Sequence, residues 1–203
     1  EHDAMLHHVS SIAVSGDHDG VFTETDFDLG QGFPTPYHRT KFEAEKLVRD
    51  RAGLRWRVYR PSVVVGDSRT GAMDKVDGPY YFFPLLALLG MLPSRLPLPT
   101  PDLGRLNLVP VDFVAEAIVT LVDHDPLRGG QVFHLGDSCD RGVMGMYNAL
   151  APAIGSPKGV GVVSNRIVAP ALAMTGFGPI APIRDLIASQ AGIPPALLDG
   201  MQM

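Results

Sequence analysis

A chain of 203 residues, 45% hydrophobic and 19% charged, has the size and composition of one ordinary soluble globular domain. Its net charge of −5, with no basic run, argues against a nucleic-acid partner. Its single cysteine, Cys139, excludes an internal disulfide and a cysteine metal cluster, and fits a reducing, cytoplasmic compartment.

Glu1 to Met5 read as the tail of a helix feeding a strand from Leu6 to Val14, with Ser10 and Ser11 late in that strand. His7 and His8 are adjacent on it, so they face opposite sides and make a poor metal pair. Gly16 to Thr35 is a loop rich in Gly, Asp and Thr. Its carboxylates, Asp17, Asp19, Glu24, Asp26 and Asp28, lack a fixed ligand spacing and read as a solvated acidic loop, so no metal is expected.

A helix follows. Thr35 suits its N-cap and Pro36 its first position. Ala44, Leu47 and Val48 supply an apolar stripe, and Lys41/Glu45 and Glu45/Arg49 can pair across single turns. Tyr37 and Lys41 are four residues apart, which puts both side chains on one face. An ammonium beside a phenol favours the phenolate, and a phenol so tuned can protonate a developing alkoxide near neutral pH.

Asp50 to Arg55 is the turn out of this helix, with Gly53 expected at its C′ position. Trp56 to Val65 is a second apolar strand, interrupted at Pro61, which cannot donate to a regular central ladder. Gly66 to Gly78 is loop. Tyr80 to Leu92 is apolar, but Pro84 and Gly90 interrupt it and it is too short to cross a membrane; it reads as a core helix or one wall of an apolar tunnel. Pro93 to Gly104 reads as loop and Leu106 to Val111 as a short strand. Asp112 is expected to cap a helix through Val122 that buries Val114, Ala117, Ile118, Leu121 and Val122. A strand over Gln131 to Gly136 and a helix from Asp140 to about Ala153 come next. Val160 to Ile183 is apolar but broken by Pro and Gly, and reads as two helices, Asn165–Met174 and Pro182–Ala191, that leave room for peripheral lipid contact.

Strand with Ser10 and Ser11, loop, helix with Tyr37 and Lys41, then a strand ending Arg60-Pro61-Ser62-Val63-Val64-Val65-Gly66: this ordered set resembles the extended short-chain dehydrogenase/reductases. With Val109-Pro110-Val111-Asp112 it is similar to their thioester-reducing branch, and above all to the amino-terminal reductase domain of bacterial fatty acyl-CoA reductases.

The resemblance implies an α/β fold, the carboxy-terminal part of a Rossmann-like, doubly wound parallel sheet with a mostly helical substrate-binding subdomain. It implies a partial Rossmann core over 1–66, and a subdomain over 67–203 whose elements near 106–136 return to the core. It assigns Tyr37 as proton donor and Ser11 as a second hydrogen bond to the reacting oxygen. Lys41 would hold the nicotinamide ribose, with Val9, Ser10, Pro61, Ser62 and Val63 also lining the cofactor, the last two through backbone groups. The cofactor would be NADPH, or NADH, and the substrate a long-chain acyl thioester on CoA or a carrier, reduced to an aldehyde or onward to an alcohol. A sugar-nucleotide epimerase or dehydratase on the same scaffold, and a non-catalytic dinucleotide-binding regulator, stand as alternatives. No Gly-rich dinucleotide turn precedes the Ser strand. The expectation is therefore a longer reductase, with a first Rossmann half before this sequence and room for a second reductase domain after it.

Overall fold

The computed structural model describes residues 4–74, 86–87, 89–95, 98–101, 105–124, 128–139 and 142–163. Two compact units divide the chain: Glu1–Val76 with Asn107–Asp140, and Asp77–Leu106 with Arg141–Met203.

The first unit is built on β1 (Met5–Val9), α1 (Pro36–Arg49) and β2 (Arg55–Pro61), a parallel βαβ unit. Met5 lies opposite Arg55 and Val9 opposite Tyr59. After β3 (Val63–Val65) and β5 (Leu108–Pro110), which pair with each other in parallel, α2 (Val111–Asp123) leads into β6 (Gln131–Leu135). β6 runs parallel to β2, giving a sheet ordered β1-β2-β6.

Alternation along β2 decides what each face binds, because successive strand residues point to opposite sides. Tyr59 is fully buried against Val109, Val114 and Leu135, with Ala117, Ile118, Leu121 and Val122 of α2 packed around that cluster. This is the stripe read from the sequence. Arg57 points the same way, and its guanidinium donates to the carbonyls of Leu121, His124 (3.0 Å) and Arg128 (3.0 Å). It thus satisfies the open carbonyl end of α2, where a cation is favourable. Arg60 faces the other way and meets Glu45 of α1. Helices therefore cover both sides of a parallel sheet, the doubly wound arrangement expected.

Several local expectations are corrected. The serines lie beyond β1, which stops at Val9. Ser11 accepts a hydrogen bond from the Ala13 N–H (3.2 Å) and starts a 3-10 turn over Ile12–Ser15; this local bond competes with the ladder and ends the strand. Nor is the strand buried throughout, with Leu6 40% and Val9 48% exposed. Thr35 is the N-cap of α1, yet its hydroxyl bonds His38 Nδ1 (2.7 Å) rather than a backbone N–H. Leu47 is exposed, and the buried residues of α1 are Phe42 and Glu45. α1 ends at Asp50 in a right-handed conformation, so Gly53 is not its C′ residue and takes its positive φ of 73° in the turn beyond. α2 is capped by Pro110; Asp112 sits in its first turn and instead accepts from the N–H (2.9 Å) and hydroxyl (2.6 Å) of Ser68.

In the second unit, Leu98–Pro101 forms β4, paired in parallel with β7 (Gly159–Val163), where a loop was expected. Pro99 and Pro101 leave the pairing irregular: the register shifts between Pro99 and Thr100. α3 spans Gly142–Leu150, shorter than expected, and packs on β7. Tyr147 ties the turn after it, its hydroxyl 2.6 Å from Ser156 Oγ and from the Pro157 carbonyl. Most of the apolar 80–92 run, Asp140, and both helices expected beyond 164 lie outside the described residues.

Candidate active site

Tyr37 and Lys41 stand on the first turns of α1, and the Lys41 ammonium lies 6.0 Å from the centroid of the Tyr37 ring. Tyr37 is 54% exposed. Neither the Tyr37 hydroxyl nor the Lys41 ammonium hydrogen-bonds to a described residue. Both are therefore polar groups in reach of solvent with their bonding capacity unspent. The pairing of Lys41 with Glu45 does not form, because Glu45 is turned into the interior.

The turn that carries Ser11 packs against α1. Ser11 is nearly buried, and its oxygen accepts from Ala13, which leaves its O–H without an acceptor among the described residues. Ser10 behaves differently. Its hydroxyl donates to Glu45 Oε2 (2.7 Å) and its N–H to the Tyr59 carbonyl (2.8 Å). Val9 ends β1 in a half-exposed position just before the serines. Pro61 is the last residue of β2, and the chain leaves the ladder at Ser62, one residue later than the proline itself. The N–H of Ser62 donates to Leu135 (2.9 Å) and that of Val63 to Asn107 (3.2 Å), so neither N–H is available to a cofactor.

A buried ionic cluster lies beneath these residues, and sequence reasoning missed it. The side chains of Glu45 and Arg60 are both fully buried. Arg60 Nη2 donates to Glu45 Oε1 (2.7 Å) and Nε to Oε2 (3.1 Å), a two-pronged pair. Arg49 Nε donates to the same Oε1 (2.8 Å). Burial pushes the Glu45 carboxyl up, but the bonds from Arg60 and Ser10 and the charges of Arg60 and Arg49 outweigh it and hold it below its usual range. Arg60 also donates to the carbonyls of Asp26 (3.0 Å) and Thr23 (3.5 Å) and to His134 Nε2 (3.1 Å). The signal was available: a strand reading Val58-Tyr59-Arg60-Pro61 places a charge among buried positions, and such a charge requires a partner.

The loop before α1 is bound by its carboxylates rather than merely solvated. Asp17 Oδ1 accepts from the Gly32 N–H (2.6 Å), Asp26 from the N–H and hydroxyl of Thr23 (both 2.7 Å), and Glu24 from the His134 N–H (2.8 Å). Among the described residues no group of three His, Cys, Asp or Glu is placed to hold a metal. His7 bonds Tyr59 (2.8 Å) on the α2 side, while the Lys41 and Glu45 charges act on His8 from the α1 side.

A parallel βαβ core with a serine turn and a Tyr-x-x-x-Lys helix defines an extended short-chain dehydrogenase/reductase of the thioester-reductase branch, a class that binds NAD(P)H. The chain belongs to the NAD-binding family described as Male sterility protein, which matches residues 1–118. It is 32% identical over 128 residues to the L-2-aminoadipate reductase large subunit of Penicillium chrysogenum, a match covering 61% of this chain and 8% of that protein. It is 36% identical over 104 residues to the glycine betaine reductase ATRR of Emericella nidulans, covering 50% and 8%. The terminal R domain from the myxalamid PKS-NRPS biosynthetic pathway has a similar structure, with a TM-score of 0.66, 29% identity, and coverage of 86% of this chain and 43% of that one. The fold alone is shared with RMD from Pseudomonas aeruginosa, solved with NADPH, at a TM-score of 0.53 and 18% identity. The chain thus spans under half of the similar R domain and a small part of the curated relatives.

The donors present fit the nicotinamide-ribose end of a dinucleotide. Lys41 has three N–H donors with no described partner, one turn from an equally unspent phenol.

Proposed function

We propose that the protein containing this chain reduces a long-chain acyl thioester with NADPH. The observation that carries the reading is the exposed Tyr37 beside a half-buried Lys41 on α1, neither hydrogen-bonded through its side chain to a described residue, on a helix packed against the turn that carries Ser11. Lys41 would hold the ribose hydroxyls, with Val9, Pro61, Ser62 and Val63 lining the cofactor; Ser10, buried with its hydroxyl on Glu45 and its N–H on Tyr59, is given no contact with it. When bound, the reduced nicotinamide supplies the hydride.

The chain's own residues manage the oxygen. Ser11 donates its free O–H to the thioester carbonyl and keeps donating as negative charge develops. Tyr37 delivers the proton that makes the hydroxyl of a hemithioacetal. Collapse of the hemithioacetal expels the thiol and leaves an aldehyde, and the same groups can serve a second reduction to alcohol.

The apolar segments at 80–92 and 160–183 support a long acyl group, which rests on sequence. A buried methylene is worth about 0.8 kcal/mol, so kcat/KM should rise roughly fourfold per added carbon until the site is filled. The experiment is an NADPH-oxidation series from butyryl- to palmitoyl-CoA with the full-length natural protein. A second reading, a small polar acyl group on a carrier, is favoured by relatives named for aminoadipate and glycine betaine. It would give a flat or falling series and activity on carrier-bound substrates. Turnover of a UDP-sugar in place of a thioester would instead indicate an epimerase or dehydratase. Dinucleotide binding without turnover would indicate a regulator.

A further inference from the structure

We propose that the buried Glu45–Arg60 pair, with Ser10, is a positioning unit that sets the geometry of the reductive site. The inference rests on the reading of Ser11, Tyr37 and Lys41 given above.

Glu45 lies one turn beyond Lys41 and two turns beyond Tyr37 on α1, along the same line of the helix. Through Oε2 it takes the hydroxyl of Ser10, the residue next to Ser11. Through both oxygens it takes Arg60, the residue before Pro61 and Ser62. Arg60 in turn grips the loop before α1 at Thr23 and Asp26, with its guanidinium carbon 5.2 Å from the Phe22 ring centroid. One carboxylate and one guanidinium therefore join the serine turn, the Tyr–Lys helix and the end of β2. At each place the residue held is a chain neighbour, or a helical neighbour, of a residue assigned to the chemistry.

Stability alone is a poor reason for this arrangement. Two desolvated charges give back much of their attraction as lost hydration, and apolar residues of equal volume often serve the fold as well. What the ionic cluster adds is direction: a two-pronged pair fixes angle as well as distance. A shift of about 1 Å at a reacting group can cost about a hundredfold in rate.

Ser10→Ala tests this with the fold kept, because it leaves Glu45, Arg49 and Arg60 paired and removes only the tie to the serine turn. In the full-length protein, with thioester and NADPH, we expect kcat to fall about tenfold or more while KM for NADPH changes less than about twofold. Ser10→Thr, which keeps a hydroxyl, should recover most of the rate. The decisive readout is Ser10→Ala placed in a Ser11→Ala background. If Ser10 acts through Ser11, it should cost nothing further there, whereas a general loss of folded enzyme would multiply with the Ser11 defect. Glu45→Gln offers a second route: it keeps an acceptor for Ser10 but strands Arg60, and should lower both melting temperature and kcat. An active wild type with an unaffected Ser10→Ala, or full multiplication in the double variant, overturns the inference alone. A wild type that does not reduce thioesters overturns the functional reading and this inference with it.

Discussion

Tyr37 contributes little to the fold, which makes it a clean test of chemistry. Its ring is more than half exposed, and its hydroxyl bonds to no described residue. Removing one oxygen there should change stability by no more than about 0.5 kcal/mol, the usual range for exposed positions. The same change should lower kcat by about a hundredfold or more, the scale of a positioned general acid. Tyr37→Phe therefore separates the two roles. The measurements are a thermal melt and a single-turnover rate with thioester and NADPH. Retained turnover with normal cofactor binding would remove Tyr37 from the mechanism. Lys41→Met should act differently, raising KM for NADPH as well as lowering kcat, because its donors are assigned to the ribose. An unchanged KM would place the ribose elsewhere.

At the scale of elements, the segment from Gly16 to Thr35 is where the fold and the site meet. It is closed at its base by Asp17 N–H to the Gly32 carbonyl (3.1 Å) and Gly32 N–H to Asp17 Oδ1. Gly16 makes that closure possible. Its φ is +56°, and a Cβ there would lie 2.1 Å from the Gly32 oxygen. Gly16→Ala should cost about 1–3 kcal/mol, seen as a lower melting temperature, and should loosen the loop that Arg60 holds. An unshifted melt would show that the base can open without cost. Two histidines beside the Glu45–Arg60 cluster that holds this segment should make the fold acid-sensitive. Burial lowers the proton affinity of His8 and His134, and the Arg60 charge lowers that of His134 further. Both therefore titrate below 6.5 in the native state, so the unfolded chain binds more protons in the window beneath that value. Stability must then rise with pH across the window and fall on acidification from about pH 7 to pH 5. Protonating His134 also removes the acceptor for Arg60. His134→Gln should flatten this slope in a pH series of thermal melts; an equal slope in the variant would assign it to other groups. Much of this was legible in the sequence and some was not. Tyr37, Lys41 and the α2 stripe follow helical spacing, a local property, and could be read directly. The end of β1 could not, because one hydroxyl-to-backbone bond at Ser11 competes with the ladder and short-range pattern does not say which wins. Helical spacing pointed Glu45 to Lys41 and Arg49, and could not reveal Arg60, which is fifteen positions away on another element.

At the scale of the whole chain, the question is how much of a dinucleotide site these residues can build. Most affinity for a dinucleotide comes from the pyrophosphate, held by backbone N–H groups at a helix N-terminus after a Gly-rich turn. In the first unit, α1 opens on Pro36, which has no N–H, and α2 carries Asp112 in its first turn, where a carboxylate repels phosphate. The 203 residues contain no G-x-G-x-x-G or G-x-x-G-x-x-G turn. What is present is what we propose as the other end of the site: the Lys41 ammonium for the ribose, and Tyr37 and Ser11 for the reacting oxygen. Among the described residues β1 is an edge strand, and its own Leu6 and Val9 are substantially exposed. An unpaired, partly apolar edge of this kind favours association with other chains. The 203 residues expressed alone should therefore bind NADPH weakly, with Kd above about 0.1 mM, equivalent to less than about 5.5 kcal/mol of binding free energy. They should also self-associate as concentration rises. A longer natural protein that carries a Gly-rich turn should bind NADPH at micromolar concentration. Calorimetric titration of the isolated chain, with sedimentation in parallel, makes the comparison. Micromolar binding by these residues alone, together with thioester-dependent NADPH oxidation, would mean that the pyrophosphate is held by groups outside the described elements.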